Sequence, residues 1–296
     1  MGILADKVVV ITGAGRGLGR SHALTMTAEG ATVLVNDVGS TLDGAEAGET
    51  PAQQVVDEIR ARGGRASVNR DDVATWAGAE SLVRQAVDEY GRLDVLVNNA
   101  GILRDRMCFN MAEDDWDSVI RVHLKGHFAP SRFACAYWRE RHKSGEPIAG
   151  VIVNTASEAG VIGNAGQANY SAAKAGILAL TMVLCREMER YGVRVNCIAP
   201  RAVTRMTENL FQAFGEEAMK ELDPANVSAL VAWLSSPQAG HVNGQAFVVY
   251  GRMIQLLEGW HPVATIERAE GWSVADVPTR ISELFQGRSP KLGALG

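Results

Sequence analysis

The sequence predicts an α/β fold: a single doubly wound parallel sheet of seven strands, followed by a C-terminal extension. Three observations predict it. Short apolar runs suited to strands covered on both faces alternate along the chain with helical stretches. The first run passes straight into a glycine-rich turn, a helix and a second strand that ends in an acid. The chain has 296 residues, 47% hydrophobic and 21% charged, enough for one large globular domain plus extra segments.

Lys7 to Ile11 is the first strand, and Thr12-Gly13-Ala14-Gly15-Arg16-Gly17-Leu18-Gly19-Arg20 follows at once. A helix then runs to Glu29 and stops at Gly30. Thr32 to Asn36 is the second strand, with Asp37 at its C-terminal end. Glycines at these positions allow tight backbone angles and let main-chain N–H groups approach a pyrophosphate at a helix N-terminus. Val38 to Thr50 is polar and glycine-rich, a surface loop. Thr50-Pro51 opens a helix to about Arg62, which Gly63-Gly64 ends. Ala66 to Asn69 is the third strand, closed by Asp71 or Asp72; Glu80 to Tyr90 is a helix closed by Gly91. Val95-Leu96-Val97 is the fourth strand and runs into Asn98-Asn99-Ala100-Gly101. Asp114 to about Arg141 is a long helical region with an expected kink at Pro130. Val151-Ile152-Val153 is the fifth strand, with Ser157 just beyond it. Gln167 to about Arg190 is helical, Arg194 to Ile198 is the sixth strand ending at Pro200, Val227 to Ser235 is helical, and Gln245 to Val249 is the seventh strand. Residues 1–252 are thus read as the nucleotide-binding domain.

Residues 253–296 are the extension. Leu256, Leu257, Trp260, Val263 and Ile266 form an apolar set too large to leave in water, and Val277 to Phe285 reads as a short amphipathic helix. The segment is expected to fold back on the domain or reach a neighbouring subunit and help close a pocket, or else to act as a remote clasp. Gly287 to Gly296 is expected to fray.

Tyr170 and Lys174 stand four residues apart at the start of an apolar helix, so they share one face. A lysine one turn from a tyrosine stabilises the phenolate and makes the pair an acid–base catalyst. Bringing the phenol from its usual pKa of about 10 to near 7 takes about 4 kcal/mol of differential stabilisation. A cationic cofactor ring would help supply it.

The formal net charge of -5 gives no reason to expect binding to nucleic acid or an anionic membrane. The N-terminus lacks a signal-peptide core and no run of about 18 apolar residues stands out. Cys108, Cys135, Cys185 and Cys197 are scattered, as expected of reduced thiols in a cytoplasmic protein. No metal is expected.

Thr12-Gly13-Ala14-Gly15-Arg16-Gly17-Leu18-Gly19, Asn98-Asn99-Ala100-Gly101, Ser157, Tyr170-Ser171-Ala172-Ala173-Lys174 and Asn196-Cys197-Ile198-Ala199-Pro200 occur in one order along the chain, with Ser157 13 residues before Tyr170. In these motifs the chain resembles the short-chain dehydrogenase/reductase family over roughly residues 5–252. Gly101 to Arg106, Arg121-Val122-His123-Leu124-Lys125-Gly126, Gly166 to Tyr170 and Thr204 to Thr207 are most similar to the (3R)-hydroxyacyl-CoA dehydrogenase region of peroxisomal multifunctional enzymes. The resemblance implies a Rossmann-like domain that oxidises a secondary alcohol with NAD, most readily a 3-hydroxyacyl-CoA thioester. It also leaves open a 17β-hydroxysteroid dehydrogenase, an NADPH-linked 3-oxoacyl reductase, or a sensor that binds NAD(H) without turnover.

The same resemblance implies roles residue by residue. Tyr170 is the general base, Lys174 lowers its pKa and holds the nicotinamide ribose, and Ser157 hydrogen-bonds the substrate oxygen. Gly13, Gly15, Arg16, Gly17, Leu18, Gly19, Asp37, Asp71, Asp72, Val73, Asn98, Ala100, Gly101, Pro200 and Thr204 contact the cofactor, and Asp37 selects NAD over NADP. His123 stands where many relatives carry an Asn that anchors a water relay; it is either part of the proton path or a core histidine. Arg201 replaces the usual Gly after Pro200, and Tyr250-Gly251-Arg252 replaces the common Asp-Gly-Gly. Thr204 to Lys220 is expected to form a lid, with Met206, Leu210, Phe211, Phe214 and Met219 lining an apolar site or packing on the body. Arg104, Arg106, Arg201 and Arg205 are candidates for a phosphate-bearing substrate. A homodimer or homotetramer through the two long helices is expected.

Overall fold

The structure is a computed structural model and describes residues 2–39, 51–202 and 222–289. Strands β1 (Val8–Thr12), β2 (Thr32–Asn36), β3 (Arg65–Asn69), β4 (Val95–Asn98), β5 (Gly150–Thr155), β6 (Val193–Pro200), β7 (Ala246–Tyr250) and β8 (Met253–Leu257) form one sheet in the order β3-β2-β1-β4-β5-β6-β7-β8. The first seven pair in parallel. β1, β2, β4 and β5 are buried along their whole length, as central parallel strands covered on both faces must be.

The sheet has eight strands, not the seven expected. β8 pairs antiparallel with β7, from Tyr250↔Met253 to Ala246↔Leu257. The physical reason is a two-residue hairpin loop, Gly251-Arg252, with Gly251 at φ +50°. Met253 to Leu257, read from sequence as the start of the extension, is therefore the edge strand.

Among the described residues, helices α1 (Gly17–Ala28), α2 (Pro51–Ala61), α3 (Trp76–Tyr90), α4 (Glu113–Val119), α5 (Gly126–Lys143), α6 (Ala159–Ile162), α7 (Ala168–Met188) and α8 (Pro224–Ser235) accompany the sheet. Two apolar cores lie against the sheet. One gathers Val9, Ile11, Met26, Val33, Val35, Val55 and Leu234; the other gathers Val10, Leu34, Leu82, Leu96, Phe133, Trp138, Ile152 and Leu184. Helix starts follow local chemistry: Thr75 caps α3 by accepting from Gly78 N–H at 3.1 Å, and Asp223 caps α8 through Ala225 N–H at 2.8 Å. Thr50, the expected cap of α2, lies outside the described residues.

Pro130, the expected kink, lies inside α5, and the long helical region is not one continuous α-helix. Instead a π-helical segment, Ile120–Lys125, separates α4 from α5. It ends at Gly126, the residue four before Pro130 whose carbonyl a proline nitrogen cannot bond. Wider turns at such segments re-aim side chains, and this one carries His123 and Arg121.

By length and mean hydropathy (1.3) the helical stretch Ala168–Tyr191 would be long enough to cross a membrane. Here α7 packs on β6 and buries Asn169, Lys174 and Thr181 in the domain.

Residues 258–289 form a second compact unit. It holds a one-turn helix, α9 (Asp276–Arg280), and a 3-10 turn, Ile281–Phe285, where one amphipathic helix was expected. Arg268 pairs with Asp276, and Arg280 with Glu283 at 2.9 Å.

Candidate active site

The sheet order reverses at β1, between β2 and β4, and in open α/β sheets ligands bind outside the strand C-termini at such a point. Thr12, the last residue of β1, binds the two sides together: its Oγ1 accepts from Asn99 N–H at 2.9 Å and Ala100 N–H at 3.1 Å. Gly13 follows at φ +63°, and a Cβ there would stand 2.8 Å from Ala100 Cα. A Cβ on Gly19 would stand 2.3 Å from the Gly13 carbonyl oxygen. Only glycine permits that packing. It brings the first amides of α1, which no side chain caps, to the strand ends. Leu18 packs into the core beneath. Such a cradle fits the pyrophosphate of a dinucleotide.

Asp37 lies beside the loop. Its Oδ2 accepts from Gly15 N–H at 3.0 Å and its Oδ1 from Gly39 N–H at 2.8 Å. At the end of β3, Asn69 Oδ1 accepts from Asn36 Nδ2 at 2.6 Å and from Asp71 N–H at 3.0 Å. Asp72 caps Ala74 N–H at 2.9 Å and pairs with Arg121 of the π segment at 2.7 Å, while Val73 is buried. Asp71 and Asp72 thus have different partners, although they are neighbours in sequence.

Across the reversal point lies a second cluster. Ser157 follows β5, Tyr170 lies in the first turn of α7, and Lys174 one turn later is 3% exposed. The Ser157 side chain lies close enough to Tyr170 to lower the phenol pKa, and its Oγ accepts from Ala159 N–H at 3.2 Å. Lys174 Nζ stands 5.5 Å from the Tyr170 ring centroid and donates to the Thr155 carbonyl at 2.6 Å. Burial pushes the Lys174 pKa down to about 7. Burial also raises the Tyr170 pKa, against the effect of Ser157, which lowers it. In this state burial favours the neutral form of both groups, and it moves the lysine pKa into the physiological range. Positive charge brought near the phenol would oppose the rise at Tyr170.

Residues 7–214 match the short chain dehydrogenase family. This chain is a short-chain dehydrogenase. It is 46% identical over 299 residues to hydroxyacyl-CoA dehydrogenase ChsB1 of Mycobacterium tuberculosis, covering 97% of this chain and 91% of that protein. It is 44% identical over 243 residues to peroxisomal multifunctional enzyme type 2 of Mus musculus, spanning 82% of this chain and 31% of the mouse protein. A solved short chain dehydrogenase from Mycobacterium avium superposes with a TM-score of 0.89 at 47% identity, covering all of both chains.

In this dehydrogenase His123 sits in the π segment with its ring edge-on to Tyr170, centroids 5.2 Å apart. Its Nε2 meets the Ile102 amide at 3.1 Å and the Ile102 carbonyl at 2.8 Å. Burial, then the Lys174 charge, hold its pKa at about 3, so the ring is neutral. Its Nδ1 has no partner among the described residues. Asn98 donates to Ser131 Oγ and Asn154 Oδ1, both at 2.9 Å, which makes it a strut inside the sheet. Pro200 ends β6, and Gly101 follows the Asn99-Ala100 turn. Arg16 is the residue before α1. Thr204, Arg205 and the expected lid 204–220 lie outside the described residues.

Sequence reasoning missed several members of the site. His127, one turn past His123, is fully buried beside Lys174, and among the described residues neither ring nitrogen has an ordinary hydrogen bond. Asn99 Nδ2 donates to the carbonyls of Thr12 at 3.0 Å and Gly13 at 3.1 Å, tying the glycine loop to β4. Asn169 Nδ2 reaches the carbonyls of Arg104 at 3.0 Å and Asp115 at 2.8 Å, while its Oδ1 accepts from Tyr170 N–H at 2.7 Å. A polar residue next to a catalytic one was the available signal for Asn99 and Asn169. Nothing in the sequence marked His127.

Proposed function

We propose that this dehydrogenase oxidises a 3-hydroxyacyl-CoA thioester with NAD+ as acceptor, or runs the reverse reduction. The observation that carries the reading is the assembled Ser157–Tyr170–Lys174 cluster in a chain that matches a hydroxyacyl-CoA dehydrogenase over nearly its whole length. Gly13, Gly15, Gly17, Gly19, Asp37, Asn98, Ala100, Gly101 and Lys174 would hold the dinucleotide, whose nicotinamide supplies hydride transfer. Ser157 holds the substrate oxygen. Tyr170 takes the hydroxyl proton, and Lys174 stabilises the phenolate that proton transfer requires.

Asp37 favours NAD, because a carboxylate at the end of β2 accepts from ribose hydroxyls and repels a 2′-phosphate. An identity of 38% over 262 residues to a 3-oxoacyl-[acyl-carrier-protein] reductase of Synechocystis supports the 3-oxoacyl reductase alternative. The neutral, half-satisfied His123 supports a water-linked proton path behind Lys174. Phe128 on α5 and Met182 and Val183 on α7 are exposed, which supports oligomers built on these helices. Exposed Trp260 and Val263 support a role for residues 258–289 in covering apolar surface, at the acyl site or elsewhere. The four unpaired cysteines support a reducing cytoplasm.

The test is NAD+ reduction by 3-hydroxyacyl-CoA esters of several chain lengths against steroid alcohols, repeated with NADP+. Turnover of the thioesters with NAD+ is expected. Turnover of steroids alone, or a preference for NADP+, would replace this reading with one of its alternatives.

A further inference from the structure

Ser157 is only as well placed as the short stretch that carries it. Between β5 and α7 the chain makes one turn of helix, α6, and Ser157 lies just before it. The next residue, Glu158, sends its carboxylate to Arg201. Arg201 Nη2 donates to Oε1 at 2.6 Å, and Nε donates to Oε2 in a second, parallel bond. Arg201 directly follows Pro200, the last residue of β6, and its amide donates to the Val249 carbonyl at 3.0 Å. Its guanidinium also covers the Tyr250 ring, 4.5 Å from the centroid. Tyr250 ends β7, and its hydroxyl reaches Met253 Sδ of β8 at 3.4 Å. One arginine therefore joins the ends of β5, β6 and β7 to the first residue of β8.

We infer that Glu158 and Arg201 are a positioning pair for Ser157, which fixes the serine against the strand that carries the Pro200 loop and couples it to the β7–β8 hairpin. This rests on the proposed catalytic role of Ser157. Two parallel N–H···O bonds set direction as well as distance, which a single lysine contact does not. Displacing a substrate-orienting group by about 1 Å can cost on the order of a hundredfold in rate. Sequence alone offered Arg201 as a ligand for a substrate phosphate. In the structure its fork is taken by Glu158, its face by Tyr250, and its charge is held by the carboxylate, which raises its pKa. It is committed to the scaffold.

The test uses the full chain, with (3R)-3-hydroxydecanoyl-CoA and NAD+ as probes and the variants Glu158→Gln, Arg201→Met, the double variant and Arg201→Lys. Each single substitution is expected to lower kcat about tenfold with KM and the dinucleotide Kd nearly unchanged. The double variant should be no slower than the worse single one, because both remove one interaction. Arg201→Lys should recover only part of the rate. Unchanged kcat, multiplying losses, or a rise in KM alone would overturn the inference; the last would return Arg201 to substrate binding. Amide hydrogen exchange reads the same pair without substrate. Residues 157–161 should exchange about fivefold faster or more in Glu158→Gln and Arg201→Met, and unchanged exchange overturns the pair. If the wild-type chain does not turn over the thioester, the proposed function fails, and exchange alone then decides the coupling. If Glu158→Gln does not fold, Glu158→Asp keeps the charge, shortens its reach and carries the same expectation.

Discussion

The two sides of the sheet treat their polar groups differently. On the β1–β2–β3 side, Asp37 accepts two backbone amides, Asn36, Asn69 and Asp71 bind one another, and Thr12 accepts two more amides. On the β4–β5–β6 side, partners are missing. Of the eight buried side-chain atoms without a partner among the described residues, six belong to Asn98, His123, His127, Thr155 and Ser171. Buried polar atoms are rarely left unpaired unless something else is meant to meet them, such as water, a proton or a ligand. The first side leaves one such atom, His22 Nε2 on α1. The second leaves six, gathered around the proposed catalytic cluster.

The largest expected effect falls on the second side. Tyr170→Phe removes one oxygen from an otherwise unchanged framework, and kcat should fall about a thousandfold while NAD(H) affinity is retained. A variant keeping more than a few per cent of the rate would break the assignment of proton transfer to Tyr170.

Lys174→Met should abolish turnover and weaken dinucleotide binding, yet stabilise the protein at low pH. Burial lowers the Lys174 pKa from its ordinary 10.5 to about 7 in the folded chain. The unfolded chain thus binds its proton more readily, so the lysine destabilises the fold fully below about pH 7, less as pH rises, and not at all above the unfolded value. The cost is on the order of 5 kcal/mol at pH 6 before any relaxation. Urea unfolding at pH 6 and pH 9.5 should show the variant's gain shrinking with pH. A gain independent of pH would point to packing instead.

On the first side, substitution should change preference rather than rate. Asp37→Ala should cut the NAD+ to NADP+ ratio of kcat/KM by roughly ten- to a hundredfold, with little change in the NADP+ value. An equal loss with both cofactors would mean that Asp37 serves only to hold the Gly15 and Gly39 amides. The smallest effect is expected from removing residues 258–296 while keeping β8. KM for the thioester should rise several-fold at constant kcat if the segment helps enclose the acyl chain. An unchanged KM in a folded protein would assign it a purely structural role.

Much of this contrast was legible in the sequence, unevenly. β1 to β7 follow from apolar runs, because strands buried on both faces leave little choice of residue. β8 did not, since its five residues were read together with the exposed apolar set beyond them; the Gly251-Arg252 turn was the signal passed over. Pro130 pointed to a kink but not to the π segment one turn before it, which carries His123. Ser157, Tyr170 and Lys174 were readable because their spacing is local to β5 and α7. Glu158 and Arg201 are 43 residues apart and meet only because β5 and β6 are neighbours in the sheet. No local pattern encodes that.

The central claim is that the catalytic side is completed by its cofactor, and the Tyr170 phenol reports it most directly. Its ionisation can be read as the ultraviolet difference between the wild-type chain and Tyr170→Phe, titrated with and without NAD+. Without NAD+ the phenol should titrate above the usual value of about 10, because burial raises it. With NAD+ bound the midpoint should fall by at least two units, as the nicotinamide charge joins that of Lys174. A midpoint that stays where it was on NAD+ binding would contradict the account.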